Sequence, residues 1–431
     1  MGSFLESLES EIVTNNSIDN ALYAELDVKR GLRNADGSGV LAGLSRISSV
    51  IGSKQSENDL EPVHGELRYR GQKVKDLVAE LPPKSRFEKS IFLLLVGRLP
   101  SEKEEADFHE FLVQNREVPQ SIIDATITAI PSPNIMNKLQ TVVSALYTLD
   151  ENPEATDILE NVEKSMSLIA KLPMAAAYGY LAQYVDNPQY VKPKPEMSLG
   201  EAFLYMLHQG KPPSELEINI VDLCLMLHTE HGGGNNSTFA TYVVSSSGSD
   251  VYGTVTAAIG SLKGPLHGAA NKKVMEMMAD IKANISDWSN REEVRDYLAK
   301  IVRKEAHDKS GKLYGLGHAV YTLSDPRGVI LKEKAREFAE SKGRLDEFLL
   351  YEAVEEEGPR VFAEVKGSTK VIAPNVDFFS GFVYDCLGIP EEVYTPMFAM
   401  ARIAGWCAHR IEERLSGKRV IRPAYKFIQS S

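Results

Sequence analysis

From residue 86 onward, apolar side chains recur mostly at helical intervals, and long alternating strand patterns are nearly absent. A chain of 431 residues with that period must bury helix stripes against one another, so the fold is expected to be mainly α-helical. Several helix ends are written into the sequence. Ser214 and Glu217 form a capping-box pattern after Pro212 and Pro213, leading into Ile218, Val221, Leu225 and Leu227 and delivering His228 and His231 at the far end. Asp325–Pro326 and Thr395–Pro396 each place a side-chain cap before a proline at the first helical position, and the helices they start carry Arg327 and Arg402. Gly264 and Pro265 break a helix beginning near Asp250, and another starts near Ala270, which leaves His267 in the joint. Residues 1–60 read as a polar, partly helical leader that ends in a loop over GSKQSENDLEPVHG, 52–65. No internal repeat is visible.

Composition narrows the function classes. Hydrophobic residues make up 43% and charged residues 25%, the balance of an ordinary globular protein. The net charge of −12, without a block of Lys or Arg, argues against nucleic acid as a partner. Anionic substrates held by a few arginines in a cleft remain compatible with it. Cys224, Cys386 and Cys407 lack CxxC spacing and read as small buried hydrophobes in a reducing compartment. The opening MGSFLESLESEIV has neither a basic start nor an apolar core, and no apolar run reaches the roughly 20 residues of a membrane span. Cytoplasmic location is the expectation, with no membrane partner.

Three distant segments each set one proton-handling side chain among glycines: SLKGPLHGAAN around His267, GLGHAVY around His318 and NVDFFSG around Asp377. Glycines let backbone lie directly against a ligand, and two imidazoles with a carboxylate suit abstraction of a proton next to a carbonyl. A zinc hydrolase built on His228, Glu230 and His231 is the competing class. Its helix would need HExxH, whereas HTEH is too short and runs into three glycines, so no metal site is expected. GLG lacks the spacing of a dinucleotide or phosphate-binding fingerprint.

These three segments occur in order with GELRYRG (65–71), IFLLLVGRLP (91–100), EHGGGNNSTF (230–239), SDPRG (324–328), TPMFAMARIAGWCAHRIEER (395–414) and IRPAYKF (421–427). The series resembles the citrate synthase family from about residue 60 to the C-terminus. The resemblance implies an all-α fold with a large helical domain (61–270 and 386–431), a small helical domain (271–385), and the active-site cleft between them. It implies condensation of acetyl-CoA with oxaloacetate and water to give citrate and CoA, with 2-methylcitrate synthesis from propionyl-CoA, or an enzyme that takes both thioesters, as the alternative. Asp377 would be the base, His267 the donor that steadies the enol, and His318 the donor to the ketone. His231, Arg327, Arg402 and Arg422 would hold oxaloacetate, the last reaching into the neighbouring subunit of a homodimer. Gly315, Leu316, Gly317 and Ala319 would contact CoA, a substrate; no separate cofactor is implied. Two departures stand out: SPNIMNKLQ replaces a His-Pro-Met turn near residue 134, and Ala319 stands where many bacterial relatives have Arg.

Overall fold

The helical period becomes a succession of helices from Val74–Glu80 to Tyr394–Ser416. A computed structural model describes residues 2–55, 60–368, 371–417 and 419–428. The chain divides into two compact units, Ser45–Val420 and a smaller one made of Met1–Leu44 with Ile421–Ser431. In the smaller unit, helices Gly2–Asn16 and Ala21–Glu25 are followed by the 3-10 turn Arg30–Leu32, where the Arg30 guanidinium lies 5.1 Å from the Tyr23 ring centre.

The larger unit is built on helices buried on nearly every side, the pattern of elements at the centre of a core. Tyr394–Ser416 is one: Met397, Met400, Ala401, Ile403, Ala404, Trp406 and Cys407 are all within 1% of full burial. Fully burying a side chain of this kind contributes about 1.5–3 kcal/mol. This helix packs on Arg86–Val96, Ile158–Tyr184, Glu215–His228, Asn236–Ser246 and Val251–Leu262. Ile158–Tyr184 buries Ala175, Ala176 and Ala177 fully, and at Gly179 it approaches the helix Ile135–Leu146 so closely that a Cβ would lie 3.1 Å from Lys138 Cγ. Asp222, fully buried in Glu215–His228, accepts the N–H groups of Arg86 (3.0 Å) and Phe87 (3.3 Å), and so satisfies the start of the next helix layer.

The capping signals hold in detail at two places. Ser214 and Glu217 form the reciprocal capping box of Glu215–His228, and Asp325 accepts from the N–H of Arg327 at the start of Pro326–Ser341. Asp250 caps Val251–Leu262, and Ala270–Asn284 follows the joint. Thr395 is a correction. The helix begins at Tyr394, straight after the 3-10 turn Glu391–Val393, and the Thr395 hydroxyl donates to the Gly268 carbonyl (2.8 Å) instead of capping.

The loop expected over 52–65 is a second correction at 52–55 and 60–65, while residues 56–59 lie outside the described ones. Strands β1 (Ser48–Gln55), β2 (Leu60–Tyr69) and β3 (Gln72–Lys73) form an antiparallel sheet in the order β1-β2-β3, with Val50 opposite Leu67 and a register shift between Ile51 and Ser53. Burial of Leu67 and Tyr69, alternating with partly exposed Glu66 and Arg68, supplies the drive for pairing. Among the described residues, no helix is long and apolar enough to cross a membrane. The three cysteines are free and buried.

Candidate active site

His267 sits in the tight turn left by Gly264 and Pro265, its N–H bonded to the Gly264 carbonyl at 2.9 Å. Gly268 is required there, since a Cβ would lie 2.1 Å from the Leu262 carbonyl oxygen. The Ser237 backbone N–H, in the first turn of Asn236–Ser246, donates to His267 Nε2 at 3.3 Å, and Ser237 Oγ lies 3.1 Å from the same nitrogen. The Trp406 indole N–H holds that hydroxyl oxygen at 3.1 Å. A nitrogen that accepts from an amide carries no proton, so Nδ1 bears it. Burial and the nearby Arg402 charge bring the His267 pKa down to about 4, keeping the ring neutral.

His318 uses the opposite nitrogen. The N–H groups of Val320 and Tyr321 both donate to its Nδ1 at 3.0 Å, which leaves the proton on Nε2. Its ring stacks on Tyr321 (4.6 Å, 25°) and meets the His231 ring edge-on at 5.2 Å. Burial, then Arg327, lowers its pKa to about 4. The loop before it is held by the segment before Asp377: Gly317 donates to Ala373 O (2.7 Å), and Asn375 donates through its N–H to Gly315 O (2.9 Å) and through Nδ2 to Gly317 O (2.9 Å). Gly315 has φ +76° and would push a Cβ to 2.7 Å from Val274 Cγ2, so glycine here serves packing.

Asp377 lies in the first turn of Val376–Cys386, behind the Asn375 cap. Its carboxylate makes no hydrogen bond among the described residues. Loss of water raises its pKa to about 6, against Arg327 and Arg402, which lower it, and with Asp325, which raises it. Asp325 ties two site segments together: it takes Arg327 Nη2 (2.7 Å) and Nε (3.1 Å), and its Oδ2 also accepts the Val376 N–H (3.1 Å).

Arg402 is fully buried, with Nε donating to the His228 carbonyl (2.7 Å) and its plane 4.5 Å from the Phe398 ring centre. Among the described residues its Nη1 and Nη2 are buried without a partner, as is His231 Nε2. Burial pulls the Arg402 pKa down to about 10 and the His231 pKa well below its usual value. An unpaired buried guanidinium is costly, and a carboxylate offers the two-pronged partner it lacks. The loop carrying His231 is anchored by Glu230, whose Oε1 accepts from buried His409 Nε2 (2.9 Å) and the Ser48 hydroxyl (2.8 Å). Each partner stabilises the charged form of the other: His409 is raised, Glu230 lowered.

His231, His267, His318, Arg327, Arg402 and Asp377 thus gather in the larger unit, bound together by ring contacts and by the fields of the two arginines. Arg422 is in the smaller unit, exposed and without a hydrogen bond or ion pair among the described residues. Of the segment expected to meet CoA, the N–H groups of Leu316 and Gly317 are already paired within the protein, while Ala319 is exposed. Ser237, Asp325, Asn375 and Tyr321 were not singled out as site residues from the sequence. All four lie inside the motifs, Ser237 in EHGGGNNSTF, Tyr321 in GLGHAVY, Asp325 in SDPRG and Asn375 in NVDFFSG, and of these only Asp325 was read for its chemistry, as a helix cap. No three His, Cys, Asp or Glu side chains among the described residues group as a metal shell: His228 Nδ1 donates to Cys224 O (2.7 Å), and Glu230 turns to His409.

Neutral imidazoles, a buried carboxylate with a raised pKa and a buried guanidinium with two unpaired nitrogens, all on helical scaffolding, are the equipment of an enzyme of carbon-acid chemistry. Residues 35–424 match the family described as citrate synthase, C-terminal domain, and the chain belongs to the citrate synthase family, whose members are acyltransferases. It is 35% identical over 406 residues to the citrate synthase of Haloferax volcanii, covering 93% of this chain and 96% of that one. It is 34% identical over 363 residues to the 2-methylcitrate synthase of Shewanella oneidensis, covering 84% and 88%. Among solved structures, the ternary complex of carboxymethyl coenzyme A and oxaloacetate with citrate synthase from Thermoplasma acidophilum aligns with a TM-score of 0.75 at 27% identity, over 93% of this chain and 96% of that one.

Proposed function

We propose that this enzyme condenses acetyl-CoA with oxaloacetate and hydrolyses the resulting thioester, giving citrate and CoA. One observation carries the reading: the buried Arg402 guanidinium, with Nη1 and Nη2 unpaired, faces a cluster of neutral histidines and an ionisable Asp377. Asp377 removes a proton from the thioester methyl while His267 Nδ1–H donates to the thioester oxygen, so the enol forms without a free enolate. Its carbon attacks the oxaloacetate ketone, and His318 Nε2–H donates to the oxygen that becomes the alkoxide. Water then cleaves the thioester, releasing CoA. Arg327, Arg402 and His231 hold the keto diacid, and Arg422 completes its binding from the neighbouring subunit of a homodimer. The residues around His318, Gly315 to Ala319, approach the CoA moiety, and closure of a small domain, 271–385, over the large one assembles the site. CoA enters as a substrate; the reaction calls for no other cofactor.

The 2-methylcitrate synthase relative supports a second reading in which propionyl-CoA is the acyl donor. One methyl group shifts discrimination by only about 10- to 200-fold. Measuring kcat/KM for both thioesters with oxaloacetate decides it. Preference for acetyl-CoA is the expected result, a larger kcat/KM for propionyl-CoA would move the assignment, and no turnover of either would end it.

A further inference from the structure

We propose that the Tyr321 hydroxyl donates a hydrogen bond to the oxaloacetate carboxylate held by Arg327, forming with Arg327 Nη1 a two-point grip on that group. Tyr321 is 2% exposed, and its hydroxyl is buried with no partner among the described residues. A buried hydroxyl left unpaired is unfavourable unless a ligand supplies the acceptor. Its placement is fixed from several directions. One ring face stacks on His318, and the ring meets His231 edge-on at 5.5 Å. Gly65 of β2 presses on it so closely that a Cβ there would lie 2.5 Å from Tyr321 Cδ1. Its own N–H is one of the two that fix the His318 tautomer.

Arg327 explains why a second donor is needed. Nε and Nη2 are spent on Asp325, and Nη1 makes no hydrogen bond among the described residues, so Arg327 alone offers a carboxylate one prong. The fields of Arg327, Asp325 and Tyr69 all reach the phenol, and Tyr321 packs with Pro326, the residue before Arg327, around Gly65. The phenol stays protonated, since burial raises its pKa, and it acts as a donor only.

This inference rests on the oxaloacetate reading, and the test separates the two. Tyr321→Phe keeps the stacked ring and removes only the hydroxyl. Titration calorimetry with oxaloacetate alone, and steady-state kinetics with acetyl-CoA, should show its Kd and KM for oxaloacetate raised about tenfold. The KM for acetyl-CoA, the kcat at saturation and the melting temperature should stay close to those of the parent enzyme. An unchanged oxaloacetate Kd overturns the role of Tyr321 while leaving the function standing. A variant that fails to fold, or loses kcat and melting temperature with oxaloacetate affinity unaltered, also overturns it by making the hydroxyl structural. A parent enzyme that binds no oxaloacetate would sink the function itself.

Discussion

His267 and His318 solve one problem with opposite nitrogens: a backbone N–H donates to one side of each ring, so the proton must sit on the side facing the cleft. With their pKa values held near 4, both rings stay neutral donors at any pH where Asp377 is ionised. Asp377 sets the lower limit. Its carboxyl is raised to about 6 by burial, so the base form is depleted as pH falls through that value and restored above it. Accordingly, kcat at saturating substrates should fall about tenfold per pH unit well below 6, following a single proton. Asp377→Asn removes the base but keeps the shape, and kcat should drop about a hundred- to ten-thousandfold with oxaloacetate affinity preserved. Parent-like turnover in Asp377→Asn, or a parent profile flat down to about pH 5, would refute the assignment.

The β-sheet is the element that sequence reasoning lost, and it supports two site loops at once. The Tyr69 hydroxyl lies 3.0 Å from Met226 O and 3.3 Å from Glu230 O, closing the end of Glu215–His228 just before His231. Gly65 donates its N–H to Ser324 O at 3.1 Å, and Gly52 lets Val320 O approach to where a Cβ would be only 2.1 Å away. Those glycines, with Pro62 and the polar residues between them, erase the alternating pattern until Leu67 and Tyr69, which is why the segment reads as loop. The helix joints at Gly264–Pro265 and Ser214 were legible because their chemistry is local. Thr395 was not, because the Gly268 carbonyl that takes its hydroxyl lies 127 residues away. Likewise, the motifs name Arg402, but its unpaired Nη1 and Nη2 emerge only from packing. Gly65→Ala tests the buttress: its Cβ would lie 2.2 Å from Ser324 O and displace the Tyr321–Pro326 segment. Stability should fall by about 1–3 kcal/mol, and activity more than that loss explains. Gly43→Ala, with open space around it, is the control. Denaturant melts and initial rates would read both, and parent-like behaviour of Gly65→Ala would show that the sheet does not hold the His318 loop.

At the scale of the whole molecule, charge counting raises the question of how many arginines oxaloacetate meets. The chain carries −12 overall, yet the site concentrates buried Arg327 and Arg402 where a dianion would bind, so focused positive charge overrides the net field. The charge of Arg327 is already balanced by Asp325, which leaves Arg402 alone against a dianion, short of one countercharge from these groups. Exposed Arg422, whose guanidinium has no partner among the described residues, would supply it in the proposed homodimer, to the neighbouring subunit. That arrangement has an arithmetic consequence. Take a dimer of one His267→Ala chain and one Arg422→Ala chain, each nearly inactive as a homodimer. With Arg422 exchanged between subunits, one site lacks both residues and the other lacks neither, so the mixed dimer should recover about half of the parent activity. With Arg422 serving its own subunit, every site keeps one lesion and nothing is recovered. Co-expression with two affinity tags, isolation of the doubly tagged dimer and a condensation assay distinguish these outcomes, and no recovery in verified mixed dimers would end the shared-site reading.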